Sequence, residues 1–162
     1  MTKDQYGRKD RMIQERRHDV YYRRNKLASP ACCPQCGLMF INGRWLRQET
    51  APSDEADLVL CPACRRIADN YPAGYVEVRG PFFQSHRQQI INLIRNTEER
   101  EKNDHPLERI MDIKREQDHL LVTTTGIHIA RRIGQALESA YKGNLTMQYT
   151  DSDQSIRLSW ER

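Results

Sequence analysis

Two cysteine pairs, Cys33-Pro34-Gln35-Cys36 and Cys61-Pro62-Ala63-Cys64, stand 24 residues apart in the chain. Two-residue spacing lets both sulfurs of one turn reach a single tetrahedral ion, so the pairs together offer four thiolates to one Zn²⁺ at about 2.3 Å. Four cysteines fill that shell and leave no position for water, so the expected role of the ion is structural and not catalytic. The competing chemistry is a thioredoxin-type redox pair. It needs Cys-x-x-Cys to open a helix after a buried strand, a setting expected of neither pair. Cys32, the fifth cysteine, is expected to be a bystander thiol next to the first pair.

The elements that must position these thiols are legible in part. Gly37 follows the second cysteine of CPQCG, where a knuckle turn needs positive φ. Phe40-Ile41-Asn42-Gly43-Arg44-Trp45 reads as a hairpin closed by Asn-Gly. Residues 30–73 are therefore expected to form a zinc ribbon. Beyond Phe40, Trp45 and Leu58 the segment has few core residues, so the metal should supply much of its folding energy.

Residues 74–162 have a different texture. Tyr75 to Arg79 alternates as a strand, and 83–103 is rich in helix formers, with Phe83, Ile90, Ile91 and Ile94 near one face. Arg109 to Arg115 and His119 to Thr125 form an expected hairpin. Thr125 is expected to cap a helix over 126–142, whose apolar stripe includes Ile129, Ile133 and Leu137. Leu145, Met147 and Tyr149, then Ile156, Leu158 and Trp160, alternate as two strands turning at Asp151-Ser152-Asp153. This order predicts an α+β chain: a ribbon followed by a ferredoxin-like βαββαβ domain, with the last strand added at an edge.

The net charge of +4 is unevenly spread. Residues 1–29 hold nine Lys or Arg against four acids, leaving the other 133 residues near neutrality. A basic leader suits a phosphate-rich partner, and Arg16, Arg17, Arg23, Arg24 and Lys26 are its candidate nucleic-acid contacts. Tyr21 and Tyr22 beside these arginines favour RNA, because rings and guanidinium planes stack on unpaired bases. In the second half, HLLVTTT lacks the rings of an RNA-recognition strand, so that sheet is expected to be a docking or RNA-backbone platform. Thr123, Thr124, Thr125, Arg131 and Arg132 surround a helix start that could hold phosphate, although a structural role is the stronger expectation.

Several function classes are disfavoured. No apolar run is long enough to span a membrane, and the first residues lack the apolar stretch of a secretory signal. The expected location is the cytoplasm, where Cys-x-x-Cys pairs are more often ligands than disulfides. His18, His86, His105, His119 and His128 fall singly in different elements. With no His-Glu-x-x-His, Gly-rich phosphate loop or nucleophile elbow, no enzyme is expected.

CPQCG with its aromatic hairpin, LCPAC, YVEVRG and DHLLVTTTGIHIARRIGQALESAYKG together resemble the large-ribosomal-subunit nuclear-export adaptors first named from nonsense-mediated decay. The likeness, over roughly residues 30–160, is greater still to small prokaryotic relatives of that adaptor's N-terminal zinc-binding region. It implies a metal role for Cys33, Cys36, Cys61 and Cys64 and a connection to the ribosome or its RNA. The eukaryotic adaptors carry more knuckles, so nuclear export is not implied. The alternative from another class is a zinc-ribbon adaptor that binds a protein partner without nucleic acid.

Overall fold

A computed structural model describes residues 30–48, 54–150 and 154–162. The basic leader and the Asp151-Ser152-Asp153 turn lie outside the described residues. The chain is mixed α and β, with two sheets and four helices among those residues. None of these helices is long and apolar enough to cross a membrane.

The first sheet is built from four short strands in the order β3-β2-β1-β4: β1 (Ala31–Cys32), β2 (Met39–Ile41), β3 (Arg44–Leu46) and β4 (Asp57–Leu58). β2 and β3 form the expected hairpin, with Phe40 opposite Trp45 and their ring centroids 5.3 Å apart. Asn42 and Gly43 take φ of 50° and 82°, the two left-handed positions that make Asn-Gly the preferred two-residue turn.

The expected second ribbon knuckle is replaced by helix α1 (Pro62–Ala68). Cys61 is its N-cap and its sulfur accepts from the Cys64 amide at 3.4 Å, while Pro62 supplies a first helical residue with no amide to satisfy. The cysteine module is thus a knuckle, a hairpin and a helix start rather than a two-knuckle ribbon.

The second sheet has the order β6-β7-β5-β9-β8, from β5 (Gly74–Arg79), β6 (Ile110–Arg115), β7 (His119–Thr124), β8 (Asn144–Thr150) and β9 (Ser155–Glu161). Helices α2 (Pro81–Ser85), α3 (Arg87–Asp104) and α4 (Ile127–Tyr141) complete the unit. The expected single helix over 83–103 is interrupted at His86, which has φ −127° and ψ 28°.

The β5-α3-β6-β7 half follows the split βαβ plan, because β7 lies antiparallel between β5 and β6. The other half departs from it. The last strand, β9, takes the inner position parallel to β5, and β8 is the edge. Burial explains the exchange: β9 buries Ser155, Ile156, Leu158 and Trp160, whereas Met147 and Tyr149 of β8 remain exposed. The strand with more apolar surface to hide takes the doubly paired position.

Val76, Val78, Leu120, Val122, Ile156, Leu158 and Trp160 on one sheet face meet Ile90, Ile94, Ile129, Ile133 and Leu137 of α3 and α4. Gly134 permits the close approach of α4, since a Cβ there would meet Leu158 at 2.6 Å. Thr125 does not cap α4 as expected. Gly126 is the N-cap, and Thr125 Oγ1 instead donates to the Leu107 carbonyl at 2.6 Å. The free Ile129 amide is satisfied by the Glu108 carboxylate at 2.9 Å.

Candidate metal centre

Cys33, Cys36, Cys61 and Cys64 converge, with their sulfurs all within 4.8 Å of one another. The knuckle supplies the first pair: the Cys33 amide donates to the Leu38 carbonyl and the Gly37 amide to the Cys33 carbonyl, with Gly37 at φ 76°. The α1 start supplies the second. Cys36 Sγ and Cys61 Sγ are 3.7 Å apart. A tetrahedral shell with metal–sulfur bonds of about 2.3 Å has edges of about 3.8 Å, so the four thiols fit one ion. Cys32 is buried in β1 and outside this group, as expected of a bystander.

The first turn of α1 opens on Cys61-x-x-Cys64, the helix setting the sequence was expected to lack. The redox alternative still fails on two counts: the preceding β4 is a two-residue exposed strand, and Cys61 faces the Cys36 thiol besides its own partner.

A fifth side chain closes the site. Arg109, just before β6, donates from Nη2 to Cys36 Sγ at 3.2 Å and Cys61 Sγ at 3.5 Å, and from Nη1 to Cys64 Sγ at 3.4 Å. Its Nε donates to the Pro106 carbonyl, and its backbone is paired with Thr125 in both directions. The guanidinium is therefore held by the larger unit and aimed at the thiols of the smaller one. Leu107 also packs against the buried Cys33, Leu38, Cys61, Ala63 and Cys64, so the two units share a boundary near residues 107–109.

Electrostatics divides the cysteines. Burial acts to raise the Cys33 thiol, but the amides of Cys61, Cys36 and Gln35 outweigh it and bring it down to about 7. Burial pushes the Cys61 and Cys64 thiols up, and a metal ion is the natural replacement for their protons. Burial works against the charge on Arg109, yet its hydrogen bonds to Cys64 and Cys36 raise its affinity for the proton further.

Arg109 was not legible as a site residue, being 45 positions from Cys64 in the chain. Four thiolates around a divalent ion carry a net charge of −2, and a guanidinium donating to three of them offsets half of it. Outer partners of this kind typically contribute 10–100-fold to metal affinity. Arg109→Met, which keeps much of the bulk, is therefore expected to loosen the bound metal by about 10–100-fold in a chelator competition assay. Unchanged competition would remove Arg109 from the site.

Arg16, Arg17, Arg23, Arg24 and Lys26 lie outside the described residues. The candidate phosphate position at the α4 start is taken by Glu108, Thr124 Oγ1 donates to the Gly126 carbonyl at 2.8 Å, and Thr125 Oγ1 to the Leu107 carbonyl, so Thr124 and Thr125 have structural partners. On the sheet face that none of the described helices covers, Tyr75 presents a ring, with the Arg157 guanidinium 4.2 Å from its centroid. Compared with protein-family models, curated proteins and solved structures, the chain matches none of them.

Proposed function

We propose that this is a non-enzymatic, RNA-associated protein whose cysteine module is folded around one structural Zn²⁺. The observation that carries the proposal is the closed shell: four cysteines within 4.8 Å, with Arg109 donating to three of their sulfurs, leave a bound ion no water position for chemistry. A cytoplasmic, reducing location would keep all five cysteines as free thiols.

The RNA partner is supported by charge placement. Residues 1–29 carry the excess positive charge, while the rest of the chain is close to balanced. Tyr75 beneath Arg157 adds a ring and a guanidinium plane on the sheet face opposite the described helices. With the resemblance to ribosome adaptors, the large ribosomal subunit is the first RNA to test.

The test is sedimentation of the protein with ribosomal subunits, together with RNA binding measured across a salt series. Co-migration that high salt abolishes is expected. Replacing Arg16, Arg17, Arg23 and Arg24 by glutamine should weaken binding and, at about 0.7 per lost phosphate contact, flatten the log–log salt slope by about 3. An unchanged slope would contradict the role of the leader.

A protein-binding adaptor is the second possibility, favoured by one observation. Leu46, Leu58, Ile67 and Tyr71 are exposed on the cysteine module, Leu58 at 73%. A protein partner seated there would be retained after removal of residues 1–29 and would resist salt.

A further inference from the structure

The buried seam of α3 runs through Ile90, Ile94 and Thr97 and then reaches Glu101, which is only 8% exposed. An apolar side chain would continue the seam, so a carboxylate at this depth needs partners. Across the helix interface, Arg132 Nε donates to Glu101 Oε1 at 2.8 Å, and His128 Nε2 lies 2.7 Å from Glu101 Oε2. One turn beyond Glu101, at the end of α3, His105 brings a second imidazole, 4.9 Å from the His128 ring centre. His105 is the C-cap of α3 and its amide donates to the Glu101 carbonyl at 2.7 Å, which holds it one turn beyond Glu101, and the packing of α3 on α4 brings His128 to them. Two of the five histidines that fall singly in the sequence, His105 and His128, therefore meet in one cluster with Glu101.

We infer that Glu101, His105 and His128 form a second metal site, of the open two-histidine, one-carboxylate type, suited to Zn²⁺ or a similar borderline divalent ion. The three ligand atoms lie within 4.8 Å of one another. Nitrogen and oxygen ligands about 2.0–2.1 Å from a tetrahedral ion are about 3.3 Å apart. The Glu101–His128 pair, now at 2.7 Å, thus opens by about 0.6 Å as the ion takes the place of their hydrogen bond, and His105 closes onto it. Arg132 keeps the other carboxylate oxygen, the outer contact that fixes a ligand's orientation. Both histidines are exposed, so ions enter from solvent, and three protein ligands leave at least one position exchangeable. That open shell contrasts with the closed cysteine shell. The ion here should exchange readily, and the inference does not depend on the cysteines holding metal.

The test is metal binding by the full-length, tag-free chain. Purified protein is titrated with Co²⁺ under reducing conditions, and zinc is then counted after equilibrium dialysis against free Zn²⁺. The cysteine site gives thiolate-to-cobalt charge-transfer absorption; the Glu101 site gives only weak ligand-field bands, so failure of one is visible apart from the other. Two zinc ions per chain are expected, falling to one in the His105→Ala/His128→Ala variant with the thiolate absorption unchanged. Glu101→Gln, which keeps the shape and removes the charge, should also lose the second ion. The exposed histidine pair decides the matter if the buried glutamine variant folds poorly. Absence of the non-thiolate ion from the wild-type chain, or its survival in the histidine variant, would overturn the site and leave an ion-pair clamp between α3 and α4.

Discussion

Replacing Cys33, Cys36, Cys61 and Cys64 by serine, or stripping metal with a strong chelator, is expected to unfold residues 30–73 while leaving the larger sheet and its helices folded. The buried cluster of this module consists of Cys33, Leu38, Cys61, Ala63 and Cys64, so three of its five members are the ligands themselves. Strands of two or three residues add few ladder hydrogen bonds. Such a segment has too little apolar area to offset its ordering entropy, and the proposed metal, with about 10–16 kcal/mol typical of structural zinc in small peptides, is expected to supply the difference. The larger core, from Val76 to Trp160, contains none of these residues. Amide-resolved NMR separates the two units: signals from 30–48 and 54–73 should collapse, while those of β5 through β9 should persist with local shifts near Leu107 and Arg109. Persistence of the first group without metal would show that the module folds on its own.

The second large effect concerns Trp160. Its side chain is fully buried, it faces Phe82 and Tyr141, and its Nε1 donates to the Lys142 carbonyl at 2.7 Å. That bond fixes the chain where α4 ends and Lys142 turns at φ 60° toward β8. Trp160→Ala therefore removes an indole from the core and leaves the Lys142 carbonyl without this donor. The expected loss is about 3–5 kcal/mol, enough to lower the melting temperature of the larger unit by about 15–30 °C. Trp160→Phe keeps most of the ring volume, loses the hydrogen bond and should fall well short of the alanine effect. Denaturant unfolding of the two variants measures both, and an alanine variant as stable as the phenylalanine one would contradict this placement of Trp160.

Features governed by local chemistry were legible in the sequence. Asn42-Gly43 marked the hairpin because few residues tolerate two left-handed positions in succession. The alternation of Tyr75 to Arg79 and of Ile156 to Trp160 marked strands with one face buried. The four thiols were readable because their spacing is itself the geometric requirement.

What depended on competition between distant segments was not. Pro62 after Cys61 is a helix-start signal, but the Cys-x-x-Cys spacing reads equally as a second knuckle turn, and only the Cys61 cap shows which won. The exchange of β8 and β9 turns on which strand buries more apolar surface, a comparison that alternation alone does not make. Thr125 had the right chemistry for a cap, yet Leu107 and Arg109 claimed its hydroxyl. Arg109 meets the thiols only when the β6 approach packs on the cysteine module, and Glu101, His105 and His128 come together only when α3 packs on α4.

The site proposed here is a closed structural zinc shell of Cys33, Cys36, Cys61 and Cys64 braced by Arg109. Its most direct test is X-ray absorption at the zinc edge, on full-length protein carrying His105→Ala and His128→Ala so that only one zinc environment is observed. Four sulfur neighbours at about 2.3 Å are expected, with no nitrogen or oxygen in the first shell. A shell containing nitrogen or oxygen, or a protein purified and reloaded under reducing conditions that retains no zinc, would contradict the claim.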